Sequence, residues 1–125
     1  MNVDKETFSL VKIDDLDVIF PFPYMYPEQK DFMVQMKFSL DSKGPSVIET
    51  PPGIGRVETI FSVYLAYMAK HEKFGPVVFV TSTYQNYLRA FESFNTVVAG
   101  RKAAGVGENE SCISLGSKTL QCSRY

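Results

Sequence analysis

The alternation of apolar and polar positions divides the chain into short extended runs and longer helical ones. Residues 8 to 13 (FSLVKI) and 17 to 20 (DVIF) carry enough apolar and β-branched side chains for two short strands, with Asp14 and Asp15 at a turn between them. The stretch 21 to 29 (PFPYMYPEQ) sets three prolines among aromatics, which excludes a helix interior and favours an extended, packed loop. Pro27 suits the first turn of a helix. From Glu28 to about Asp41, Phe32, Met33, Met36 and Leu40 recur at helical spacing, which leaves Lys30, Asp31, Lys37 and Asp41 for the opposite, polar side. Gly44 and Pro45 end this helix.

Residues 46 to 49 (SVIE) read as a short strand running into a glycine-containing loop. A second helix is predicted from near Arg56 to about His71, apolar almost all round through Val57, Ile60, Phe61, Val63, Tyr64, Leu65, Tyr67 and Met68, as a helix buried against a sheet would be. After Gly75 and Pro76, the run 77 to 82 (VVFVTS) has the continuous apolar character of a buried parallel strand. A third helix follows from about Tyr84 to Val97, then a linker from Gly100 to Glu110, then a weaker alternating stretch, 111 to 115 (SCISL), predicted as one more strand. This order predicts an α/β fold, a mostly parallel sheet with flanking helices. In such sheets ligands bind at the carboxyl ends of strands, where residues 50 to 55 fall. No internal repeat or low-complexity segment competes with that prediction.

Composition narrows the picture only modestly. A chain of 125 residues, 45% hydrophobic with ten Phe and seven Tyr, is the size of one domain with a real core. A formal charge of −1 and a pI near 5.8 provide no global basic field, so any nucleic-acid binding must be local. Two cysteines, Cys112 and Cys122, are too few for a disulfide framework, and the opening MNVDKETFSL lacks the basic start and apolar core of a signal peptide. The expectation is a soluble chain from a reducing compartment, with no apolar run near the roughly 18 residues of a membrane span.

The candidate chemistry lies in 49 to 59 (ETPPGIGRVET). Gly53 and Gly55 fall between a predicted strand and a predicted helix, where glycines permit positive φ and let backbone N–H groups turn around an anion at the helix end. A phosphate loop closes on Gly-Lys-Ser/Thr, whose ammonium reaches the outer phosphates and whose hydroxyl binds magnesium. Here Arg56 and Val57 stand at those two positions. A guanidinium keeps the charge in a bulkier planar form, and Val57 offers no oxygen to a metal. The competing interpretation is a plain strand-to-helix turn, for which two glycines and two prolines require no ligand.

Four stretches in this order, YMYPEQ (24 to 29), IETPPGIGRV (48 to 57), VVFVTST (77 to 83) and GSKTLQC (116 to 122), resemble the start of the XPD family of DNA helicases, superfamily 2 iron-sulfur enzymes of the transcription and repair factor TFIIH. The resemblance covers roughly residues 14 to 122, and Tyr-Pro-Glu-Gln is its most specific part. It implies a partial RecA-like P-loop motor domain over 14 to 125, truncated, behind an N-terminal polar tail and strand at 1 to 13. By the resemblance, Gln29 reads adenine, with Tyr26 and Pro27 shaping the pocket. Thr50, Pro51, Pro52, Gly53, Ile54, Gly55, Arg56 and Val57 form the nucleotide loop, and Thr83 contacts a DNA backbone phosphate. Cys122 aligns with the first of four thiolate ligands of a 4Fe-4S cluster.

The residues taken singly permit plainer interpretations. Gln29 alone reads as an exposed residue of a first helical turn, Thr83 as a helix N-cap, and Cys122 as a free thiol. Two cysteines do not assemble a four-thiolate cluster. No Asp-Glu-Ala-His element for magnesium and water activation occurs in the sequence, and His71, its single histidine, has no acid-base partner in prospect. The family's activity is ATP- and Mg-dependent 5'-3' DNA unwinding in nucleotide excision repair and transcription initiation, in the nucleus, with DNA and TFIIH-type subunits as partners. The expectation for this chain is a fragment inactive alone, whose truncated sheet favours self-association. The alternative is a catalytically dead P-loop-fold module that binds a partner protein.

Overall fold

The computed structural model describes residues 8–71 and 77–106, together with the backbone of 113–114 and 123–124. Its first element is a hairpin. β1 (Ser9–Ile13) and β2 (Leu16–Phe20) pair antiparallel, Val11 opposite Val18 and Ile13 opposite Leu16. Asp14 makes the turn at φ 54°, in the left-handed region that a short polar side chain tolerates. Period-two alternation then directs Val11, Ile13, Leu16, Val18 and Phe20 into the core.

Helix α1 (Pro27–Ser42) starts at Pro27, whose fixed φ suits that place and whose missing N–H costs nothing there. Phe32, Met33 and Met36 face the core, and the helix ends at Lys43 in the left-handed conformation. Lys37, expected on the polar side, is buried. Its Nζ reaches Asp41 at 2.7 Å and Asp15 at 3.3 Å. Lys70 pairs with the same Asp15 at 2.7 Å, and the Tyr67 hydroxyl donates to Asp41 at 2.9 Å. Hydrogen bonds from Lys70 and then Lys37 lower the Asp15 carboxyl to about 2. Lys37 and then Tyr67 lower Asp41, while burial and then Asp41 raise the Tyr67 hydroxyl. This network ties the hairpin turn to α1 and to the end of α2.

Helix α2 (Arg56–Lys70) is the central element and packs on β2, α1 and α3. Its buried face includes Thr59 and Ser62 as well as Val63, Ala66 and Tyr67. The small hydroxyl side chains are tolerated inside because each donates within the helix, Thr59 to the Gly55 carbonyl at 2.9 Å and Ser62 to that of Glu58 at 2.7 Å. Helix α3 (Tyr84–Ala103) runs well past Val97. Gly100, the expected start of a linker, lies within it and is packed close on Pro21, since a Cβ there would stand 3.0 Å from the Pro21 Cα.

The expected mostly parallel sheet is not found among the described residues. Segments 46–49 and 77–82 carry no ladder, and the pairs present are antiparallel: the hairpin, and the short strands β3 (Ile113–Ser114) and β4 (Ser123–Arg124). Extended backbone becomes a strand only when a neighbour takes up its N–H and C=O groups. The side chains still alternate. Ile48 packs half-buried against the core, and Phe79, though 37% exposed, sets its ring centroid 5.0 Å from that of Phe61, whereas Val47 is 99% exposed and Val78 and Val80 are each 82% exposed. Of the strand expected at 111 to 115, only the backbone of 113 and 114 falls within the described residues.

Candidate nucleotide-binding loop

The loop between the extended segment and α2 is shaped by its glycines and anchored by one apolar residue. Gly53 has φ 79° and Gly55 φ 66°, conformations that L side chains rarely adopt. Ile54 between them is buried in the core and fixes the loop to the body of the fold. Thr50 is half-buried, Pro51, Pro52 and Gly53 are exposed, and α2 begins at Arg56 with Gly55 as its N-cap. No side chain caps this end, so the first-turn amides and the positive pole of the helix are directed at the loop.

Gln29 belongs to this loop, although it sits on another helix 25 residues earlier. It is 5% exposed, which excludes the interpretation as a surface residue of the first turn. Its Oε1 accepts from the Tyr26 N–H at 2.8 Å, and its Nε2 donates to the Ile54 carbonyl. One side chain therefore caps α1 and clasps the loop. The packing is close: a Cβ on Gly55 would lie 3.3 Å from Gln29 Nε2 and 3.2 Å from Glu58 Oε1.

Glu58 is the neighbour that reading the sequence missed. It is the third residue of α2, and a side chain there leans back over the helix N-terminus. Its Oε2 accepts from the Ser93 hydroxyl of α3. The signal available was an acidic residue in the first turn of α2, a place where carboxylates are stabilised by the helix dipole.

The remaining candidates lie elsewhere. Arg56 is exposed and Val57 half-buried, which brings no oxygen to the place of the missing hydroxyl. Thr83 caps α3, its Oγ1 accepting from the Asn86 N–H at 3.1 Å, so the capping interpretation is met. His71 stacks on Tyr67 with ring centroids 4.2 Å apart. Cys122 lies outside the described residues, and among the described residues no group of three or more His, Cys, Asp or Glu side chains is placed to hold a metal. Nor is any described helix long and apolar enough to cross a membrane.

The geometry defines a small α/β unit organised around a two-glycine loop that enters a central helix and is clasped by a buried glutamine. No family model matches the chain. Curated relatives do match. The XPD helicase subunit of general transcription and DNA repair factor IIH from Dictyostelium discoideum is 33% identical over 113 residues, 88% of this chain and 14% of that protein. Its Schizosaccharomyces pombe counterpart is 30% identical over 104 residues, 83% of this chain and 13% of that protein. The one from Arabidopsis thaliana is 40% identical over 58 residues, 46% of this chain and 8% of that protein. The chain belongs to the XPD family and spans about one seventh of the length of these relatives. In its two-glycine loop, Arg56 and Val57 stand at the positions where a phosphate loop ordinarily closes on Lys and Ser or Thr.

Proposed function

We propose that residues 14–125 form the N-terminal part of the first motor domain of an XPD-type helicase, behind a tail and strand at 1–13, and that the loop 50–57 is an inherited nucleotide site without hydrolytic chemistry. The observation that carries this reading is the clasp between Gln29 and Ile54, which sets the candidate adenine-reading amide against the candidate phosphate loop. A glutamine amide carries the donor and acceptor that an adenine edge requires; here Oε1 is engaged by the Tyr26 N–H and Nε2 by the Ile54 carbonyl, so adenine would use the second N–H and second lone pair or displace the clasp, while Arg56 supplies the charge for a phosphate. Magnesium loses one ligand at this site, since Val57 has no oxygen to offer, and no step is routed through it. A 4Fe-4S cluster does not fit this chain, because Cys122 and Cys112 are two thiolates where four are needed.

In the larger protein this reading implies, ATP-driven 5'-3' unwinding of DNA serves excision repair and transcription initiation in the nucleus, in company with TFIIH-type subunits. Thr83 would give its hydroxyl proton to a DNA phosphate while its oxygen caps α3. Neither an Asp-Glu-Ala-His element nor a second motor domain lies in these 125 residues, so they do not unwind DNA by themselves. Calorimetric titration with ATP tests the loop: the unaltered chain binds weakly or undetectably, and the double substitution Arg56→Lys and Val57→Thr improves affinity. Tight, magnesium-dependent ATP binding by the unaltered chain refutes the reading.

A second reading, a catalytically dead module that binds a partner protein, is favoured by the exposed outer face of Val47, Val78 and Val80. The same residues are available for self-association.

A further inference from the structure

We propose that Glu58 determines whether the loop accepts a phosphate, its carboxylate excluding polyanions from the seat formed by residues 53–57. The inference rests on the reading of that loop as a nucleotide site and deepens it. Two contacts define the carboxylate's position. Its Oε1 lies 3.2 Å from where a Cβ on Gly55 would stand, so it hangs over the glycine that forms the helix N-cap. Its Oε2 accepts from the Ser93 hydroxyl, which tethers it to α3. The positive pole of α2, which in a working loop faces a phosphate, here faces a carboxylate of the same chain.

An incoming triphosphate meets this charge at close range in a half-buried site, where salt screens it less than on an open surface. Arg56 supplies one opposing charge, but it is exposed and stands at the first position of the helix. The repulsion from one unit charge several ångströms away near a protein surface corresponds to roughly a hundred-fold loss of affinity, which salt and the opposing charge of Arg56 reduce to about ten-fold. Glu58 thus acts in addition to the replacements at positions 56 and 57. A chain restored only at those two positions recovers only part of the affinity.

The opposite role for the same carboxylate would be that of an oxygen ligand for magnesium, in place of the hydroxyl that Val57 lacks, and one experiment separates the two. Inorganic tripolyphosphate and ATP are titrated, with and without magnesium, into four full-length chains: unaltered, Glu58→Gln, Arg56→Lys with Val57→Thr, and all three changes together. The amide oxygen introduced by Glu58→Gln still accepts the Ser93 hydroxyl, so the fold is retained, and Glu58→Val serves as a second charge-removing variant. The expected result is about ten-fold tighter binding whenever Glu58 is replaced, in either background and without magnesium. Equal or weaker binding after replacement overturns the proposal, as does magnesium-dependent binding that the replacement abolishes. If the double change gains affinity while loss of Glu58 adds none, the nucleotide-loop reading stands and this inference falls. Absence of binding by all four chains overturns both.

Discussion

Replacing Gln29 tests the clasp directly, because its effect on stability requires no nucleotide. In Gln29→Leu the apolar volume is nearly kept while both hydrogen bonds of the amide are lost. The two groups left behind are not equivalent. The Ile54 carbonyl is buried and loses its donor, at about 1–3 kcal/mol, whereas the part-buried Tyr26 N–H can turn to water and costs about 1 kcal/mol. The sum, about 2–4 kcal/mol, is a large share of the ~5–15 kcal/mol that stabilises a domain. Gln29→Glu refines the test. It keeps an oxygen for the Tyr26 N–H but turns a second oxygen toward the Ile54 carbonyl, so at neutral pH it is at least as damaging as Leu. Burial beside a carbonyl raises the pKa of the new carboxyl above its unfolded value. The folded state then binds the extra proton, and the deficit relative to the unaltered chain shrinks as pH falls through that raised pKa. Urea denaturation of the three proteins at neutral and mildly acidic pH measures all of this. A loss below about 0.5 kcal/mol for Gln29→Leu, within the usual range for surface changes, would show that the amide does not hold the loop.

The Asp15 network makes a prediction in acid. Its carboxyl titrates at about 2 in the folded state against an ordinary 3.8, so its contribution is present above 3.8 and is lost as pH falls toward 2. The urea midpoint of Asp15→Asn should therefore decline less steeply over that window than that of the unaltered chain, and parallel curves would refute the assignment. The outward valines make another prediction. Sedimentation velocity at tens of micromolar, where uncovered apolar surface promotes association, should show self-association that the double change Val78→Thr and Val80→Thr suppresses. A clean monomer of the unaltered chain would exclude a sticky outer face.

Much of the local structure was legible in the residues. The alternation through 8–20 and the Asp-Asp turn foretold the hairpin, and Pro27 marked the start of α1. The apolar character of 56–71 marked α2 as a packed helix, although its buried face is Thr59, Ser62, Val63, Ala66 and Tyr67 rather than the whole apolar set, and Gly53 and Gly55 have the positive φ angles for which glycine was singled out. Tyr-Pro-Glu-Gln ahead of a near-complete phosphate loop was specific enough to indicate the family. The sheet was not legible in the same way. SVIE and VVFVTS have strand composition, yet pairing depends on a neighbour that no local window contains, and neither segment has one among the described residues.

What the chain determines by itself are the properties set within a few residues: where helices start, where φ must be positive, which chemical groups the loop carries and which it lacks. Arg56 and Val57 are of this kind, and no packing can give Val57 an oxygen. Tertiary structure decides which distant groups share a site. Burial of Lys37 depends on Asp15 lying across from it, and the close approach of Pro21 to α3 depends on the bare backbone of Gly100. Gln29 becomes a clasp only because Ile54 comes within its reach, and Glu58 guards the loop only because Ser93 holds it there. Each is a contact between residues far apart in sequence, and its strength comes from desolvation and geometry that exist only once the elements have packed together.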